Sequence, residues 1–501
     1  MSRCFVGNAL TFIRYDKSSR PTGAAGRRTG ANHPSRPRTA GSAPLGGRSR
    51  SWPRQPRLSS VTRFHSLVPV STATDRPARS TARPGVRSLL LVTAVRARIR
   101  AVLAGAVDYE SGLDALTVTP SAEVDPELVA TVHESCARLW RGGWQPAELH
   151  RVVVRRGSPQ QADLVTDAVA AHLRQFSRNT VDERWLAQAD TLGARVWWTS
   201  DATYLDELAT RGRLDRVAVL DLMLSLLAIL AALPPIEVLV PPPGTAAAPA
   251  DRSGAVGPSR IDKRLLDRVR ALLAKAESTS FPAEAEAYTA KAQELVTRHS
   301  LDVALLVARG GDPAKVVPFA RRIGLDQAYD GEKASLLDAV ARANRCHTVW
   351  SPELAFSTVF GFDADIDAVD LLYTSMLVQA HRAMARTEPP GGKAGRARLK
   401  AFRQSFLVAF TVRIGERLAS AARAAVEDAT GSGNGNGMTD PADLLPVLAS
   451  RDEQVRETMQ RMFPRTVRVR GARVDSREGW ESGREAADRA SLPIHDSARR
   501  G

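Results

Sequence analysis

The strongest periodic pattern in the chain lies between Ile261 and Asp302. Ile261, Leu265, Val269, Leu272, Leu273 and Ala276 recur at helical spacing, and after a polar break Ala285, Tyr288, Ala292, Leu295, Val296 and His299 do so again. Each set falls on one side of a helix, which predicts two amphipathic helices. Between them, Ser278-Thr279-Ser280 offers side-chain caps, Pro282 suits a first helical turn, and Glu284 and Glu286 suit the positive end of a helix dipole. The pattern predicts a short-looped helical hairpin over 261–309 with one apolar seam and charged outer faces. Two such helices cannot bury that seam between themselves, so other segments must cover it.

Helical periodicity also dominates 88–241. Leu91, Val95, Ile99, Val102 and Leu103 mark one helix, and Leu128, Val132, Cys136 and Leu139 another that ends at Gly142-Gly143. Ser158-Pro159-Gln160-Gln161 has the form of a capping box ahead of Leu164, Val165, Ala168 and Leu173. Trp140, Trp144, Trp185, Trp197 and Trp198 concentrate here; aromatic rings can stack on bases, but in an amphipathic helical domain they read first as core. Residues 242–260 are a linker by composition.

After Gly310-Gly311 the period shifts towards two. Val316, Val317 and Phe319 suggest a strand, Ala334 to Ala343 a helix, and Cys346 to Trp350 with Ala355 to Phe360 two further strands joined at hairpin length. Asp363 can cap a helix from Ala364 to Ala385, and Phe402, Phe406, Phe410, Ile414 and Leu418 mark a long one. The expectation for 312–430 is an α+β domain. Residues 431–440 read as a Gly/Asn linker: GSGNGNG follows a helix and has neither phosphate-loop spacing. A helix from Leu444 to Met462 and a mobile tail complete 441–501, with GWESGREAADRA able to dock through Trp480. The fold expectation is thus mainly α with an α+β second half: helical N-terminal domain, central hairpin, small antiparallel sheet with packed helices, and a disordered N-terminal tail.

The runs LLAKAES and EAEAYTAKAQELVTRHSLD are similar to the family catalogued as domain of unknown function 2786. Residues 342–380 resemble domain of unknown function 7168, which often follows it, and WQPAEL, VWWTSDATYL, LPPIEVL and GWESGREAADRA resemble flanking parts of actinobacterial members. The resemblance implies no activity, cofactor or catalytic residue.

Composition changes the picture at one end. The net charge of +16 would suggest an anionic partner. Residues 1–87, however, hold 17 Lys/Arg against Asp16 and Asp75, a net of 17 − 2 = +15, leaving 16 − 15 = +1 for the rest. That Arg-, Pro- and Ser-rich stretch shows no sustained period, so disorder is expected, either as a basic nucleic-acid-binding tail or as translation upstream of a true start near Val92. Three cysteines, Cys4, Cys136 and Cys346, fit a reducing cytoplasm. The apolar run Val217 to Leu233 contains Asp221 and is shorter than the roughly 20 residues of a membrane span, so it reads as a buried helix.

Candidate chemistry is sparse. His133-Glu134 lacks the second histidine of a zinc-protease motif, because position 137 is Ala. Cys346 and His347, adjacent on a strand, point to opposite faces. His299 lies on the hairpin seam, where a satisfied core or boundary histidine is the ordinary reading. Lys275 and Glu277 at the end of the first helix with Glu284, Lys291 and Glu294 on the second form the most site-like cluster; solvated ion pairs are the ordinary explanation. Glu284, Lys291 and His299 are the catalytic candidates. No metal or cofactor is expected. The reading is a cytoplasmic, non-enzymatic interaction module for a protein or nucleic-acid partner, with no membrane. The alternative is a hydrolase or nucleic-acid-processing enzyme with its site between the hairpin and the α+β domain.

Overall fold

Helix α1 (Pro84–Leu103) buries Val95, Ile99 and Val102, the positions its spacing assigns inward. In this computed structural model the described residues are 11–15, 84–245, 260–278, 288, 291–300, 317–387, 389, 395–431, 441–470 and 473–490. After α1 come α2 (Tyr109–Thr117) and α3 (Ser121–Arg141), which stops at Gly142. Gly143 has φ +92°, and a β-carbon there would collide with the Ile236 and Glu237 carbonyls, so only glycine fits this turn.

Next are α4 (Pro146–Arg156) and α5 (Pro159–Leu173), each opened by a reciprocal cap. At α5 the Gln161 amide N–H donates to Ser158 Oγ (3.2 Å) and the Ser158 amide to Gln161 Oε1 (2.8 Å), the expected capping box. Helices α6 (Glu183–Leu192), α7 (Tyr204–Gly212) and α8 (Arg216–Ala231) complete this half. The run that raised the membrane question is α8, buried on several sides by α2, α3, α5 and α7. Among the described residues, no helix is long and apolar enough to cross a membrane. Trp140, Trp144, Trp185 and Trp198 are buried; Trp140 and Trp185 meet edge to face at 5.3 Å, and Trp144 Nε1 donates to the Pro234 carbonyl at 2.8 Å.

Helix α9 (Arg260–Ser278) and helix α10 (residues 291–300) are the two central helices. Val269, Leu273 and Ala276 of α9 and Ala292 and Val296 of α10 are buried, with Leu266 joining them. Their seam is roofed by the later helices, sharing a core with Leu336, Val369, Leu372 and Phe406. The turn with Pro282, Glu284 and Glu286, and the stretch 301–309, lie outside the described residues.

The sheet has the order β2-β4-β3-β1-β5. Its heart is antiparallel: β2 (Phe319–Gly324) and β3 (His347–Ser351) flank β4 (Phe356–Gly361), with Ala320 opposite Phe360 and Thr348 opposite Val359. Strand β1 (Thr11–Tyr15) pairs parallel with β3 and antiparallel with β5 (Thr466–Arg470). Most of the stretch expected to be disordered lies outside the described residues; TFIRY within it is β-branched and aromatic, the composition that suits a strand.

Strand β2 begins at Phe319, where the sequence reading had a strand ending. Within the strand Arg321 ion-pairs with Asp367 (2.5 Å) and Arg322 with Glu148 (3.0 Å), so both arginines are accommodated there. Helices α11 (Asp330–Ala343) and α12 (Asp363–Thr387) cover one face of the sheet and α14 (Pro441–Met462) the other. Helix α13 (Arg396–Gly431) packs on α11, with Phe402, Phe406, Phe410, Ile414 and Leu418 fully buried as their spacing requires.

Helix α15 (Arg477–Arg489) docks on α13, but not through Trp480, which is only half-buried. Gly479 and Gly483 lie against the Phe402 and Phe406 carbonyls, where any β-carbon would collide, so two backbones approach at small residues. Everything described from Ser88 onward belongs to one compact unit. Its two halves are tied by Arg322 to Glu148, Arg155 to Asp330 at 2.8 Å, and Trp144 against Phe356.

Candidate functional site

Four elements bring polar side chains together where α10 meets the sheet. Helix α10 carries Ser300; Arg345 follows α11 in the left-handed region at φ +56°; Asp365 lies in the first turn of α12; Arg451 comes from α14. Arg451 approaches Asp365 at 3.5 Å and lies 3.7 Å from the Phe362 ring centroid. Arg345 donates to Ser300 Oγ at 3.4 Å, and Ser300 hydrogen-bonds Asp365 in turn. Burial pushes the Asp365 carboxyl above its usual range, opposed first by Arg451 and then by Ser300, Arg345 and His299. The neighbouring Cys346 thiol is buried, and burial followed by the Asp365 charge holds it far above the normal thiol range. A thiol kept protonated in this way is a poor nucleophile.

Arg345 also lines a groove of about 820 Å³ between α11 and α13. The helices touch at Gly415, where an added β-carbon would lie 3.4 Å from Ala339 Cβ. From there Ala343, Ala419 and Ala422 give the groove a floor of small side chains, and Arg342, Arg345 and Arg423 with Asp338 and Glu427 line it. Asp338 is committed inward, accepting from Thr348 Oγ1 at 2.6 Å and pairing with Arg342 at 2.8 Å. Residues 411–427 of α13 run roughly 24 Å along it at 1.5 Å per residue.

Of the catalytic candidates that are described, Lys291 and His299 do not line this groove. Glu284 lies outside the described residues. Lys291 is exposed and paired with Glu294 at 2.8 Å, the ordinary i,i+3 contact. His299 is half-buried and close enough to Asp365 to help lower its carboxyl pKa. Lys275 stands 5.6 Å from the Tyr288 ring centroid, and Arg382 donates to the Glu277 carbonyl at 2.7 Å. Cys346 joins the core beneath α11 and α12, while His347 Nε2 is 3.0 Å from Asp452 of α14.

A family model described as "Protein of unknown function (DUF2786)" matches residues 264–303. The matched stretch is similar to that family. It includes most of α9 and all the described residues of α10, the two helices whose seam is buried, Ser300 of the polar junction among them. No curated protein and no solved structure matches the chain. Among the described residues, no group of three or more His, Cys, Asp and Glu side chains is arranged to hold a metal ion.

Sequence reading missed Asp365, Arg451 and the groove arginines. Their partners lie tens of residues away, and no local spacing links them.

One histidine gives a pH test. His172 of α5 is packed against Phe176 at 5.0 Å and Trp140 at 6.4 Å, and burial, then His133 and Arg141, hold its pKa down to about 4. Above pH 6.5 the ring is neutral in both folded and unfolded chains and contributes nothing. As the pH falls below 6.5 the unfolded chain takes up the proton first, so stability drops until the folded ring protonates near 4. Urea unfolding between pH 7 and pH 4 should therefore show a smaller loss for His172→Phe than for the unsubstituted protein.

Proposed function

We propose that this chain is a non-enzymatic interaction protein that receives an amphipathic helix of a partner protein in the groove between α11 and α13. The observation that carries the reading is the groove itself: its length suits several helical turns, and its alanine and glycine floor allows close backbone approach. On its walls Asp338 and Arg342 pair with each other, leaving Arg345 and Arg423 against Glu427, which favours an occupant with acidic residues flanking its apolar stripe.

In this reading the helices matched to the family are the buttress. Their apolar seam is occupied by the protein's own core, and α10 holds Arg345 in position through Ser300. Polar residues at the junction are engaged in buried ion pairs, which favours binding over the hydrolase alternative. We extend the proposal to the likeness of residues 342–380 to domain of unknown function 7168 and of the flanks to actinobacterial members. A cytoplasmic setting is supported by the free, buried Cys136 and Cys346.

Ala422→Trp fills the groove without altering charge. Nuclease-treated affinity capture should retain a protein on the unsubstituted chain that is lost from Ala422→Trp at an unchanged unfolding midpoint. Identical captured proteins on both would refute the reading, and loss of every partner on nuclease treatment would point to nucleic acid instead.

A further inference from the structure

The two edges of the sheet differ in what covers them. At one edge, β2 has no exposed residue from Phe319 to Gly324, and α4 of the helical half packs beside it. At the other edge, β5 pairs with β1 from Thr466 to Arg470, and among the described residues no strand follows it. Thr466, Val467 and Arg468 are exposed there, Val467 at 43%. Antiparallel pairing uses one side of a strand. Alternate residues turn their N–H and C=O groups towards the neighbour and the rest turn theirs away, so part of the β5 backbone offers donors and acceptors that β1 does not take. Such a row is a template for one more strand.

Charge decides which strand. Between Arg461 and Val474 the sequence holds Arg461, Arg465, Arg468, Arg470 and Arg473 and neither Asp nor Glu. Arg461, Arg468 and Arg473 are exposed, and among the described residues no carboxylate pairs with any of the three. A second copy of β5 laid against the first would set arginine near arginine, and like charges across a ladder repel. The same charges favour a strand that carries carboxylates, and the exposed Val467 gives its apolar positions something to pack against.

We propose that the free edge of β5 is a docking site for an acidic extended segment of a partner protein, which adds to the sheet with Glu or Asp alternating with apolar residues. Main-chain hydrogen bonds hold the segment, and its carboxylates beside Arg468 give the selectivity. None of the residues lining the groove between α11 and α13 belongs to this edge, so the proposal stands or falls separately from the partner-helix reading.

The test uses the full chain and three dye-labelled peptides blocked at both ends: EVEVEVE, EPEPEPE with equal charge but proline in place of each valine, and KVKVKVK. Fluorescence anisotropy reads binding, and amide hydrogen exchange of the complex reads its place. EVEVEVE should bind saturably and slow exchange within residues 466–470. Arg468→Glu, an exposed substitution, should weaken that binding about tenfold at an unchanged unfolding midpoint. Equal binding of EVEVEVE and EPEPEPE would overturn the proposal, because attraction to the Arg-rich residues 1–87 needs no strand. No saturable binding, equal binding of KVKVKVK, protection confined to residues outside β5, or binding that Arg468→Glu leaves unchanged would overturn it too. So would slowed exchange in β5 that appears with protein concentration alone, because a second copy would then hold the edge.

Discussion

Arg322→Ala is expected to destabilise the protein by about 3–5 kcal/mol, the usual loss when one partner of a buried ion pair is removed. The Arg322 side chain is fully buried, and its Nη1 donates to the two Glu148 oxygens at 3.1 and 3.0 Å and to the Gly143 carbonyl at 3.1 Å. Nη2 donates to the Glu237 carbonyl, and the guanidinium lies 5.3 Å from the Phe356 ring centroid. Truncation strands a carboxylate and two carbonyls at the joint between the helical half and the sheet. Burial already pushes Glu148 upward in pKa, and Arg322 is the first group that opposes it. Combining Arg322→Met with Glu148→Gln, which keeps an acceptor for the Gln145 amide at the α4 cap, should lose less than Arg322→Ala alone. Denaturant midpoints decide this; a loss below about 1 kcal/mol for Arg322→Ala would mean that the pair does not hold the joint.

Val269→Asp should have a comparable effect, while Arg268→Asp beside it should have almost none. Val269 is fully buried in the shared core, and Arg268, about 100° round α9 from it, is exposed. A carboxylate in the seam has no partner, and such burial exceeds about 4 kcal/mol, enough to unfold a marginal protein. The exposed change should stay within about 0.5 kcal/mol. Similar midpoints for the two variants would show that the seam is not roofed.

How much of this was legible in the sequence depended on how far apart the deciding residues lie. Phe402, Phe406, Phe410, Ile414 and Leu418 could be read because one helix places all five on one core. The Ser158–Gln161 capping box could be read because its partners are three residues apart. The bounds of strand β2 could not, because the partners that hold Arg321 and Arg322 in it, Asp367 and Glu148, come from other elements. Docking of α15 was placed on Trp480 by its size, whereas the contact is made by Gly479 and Gly483, which give no hydrophobic signal. The groove is a juxtaposition of helices distant in sequence. Of the catalytic candidates, His299 came closest to a real polar junction, through the seam position that exposed it to Asp365.

Amide hydrogen exchange across α9 and α10 addresses the shared core most directly. Amides around Val269, Leu273, Ala292 and Val296 should exchange only with global unfolding, at the same free energy as those around Leu372 in α12 and Phe406 in α13. Exchange of the two matched helices at much lower free energy, while α12 and α13 stay protected, would show that they do not share that core and would contradict the role given to them.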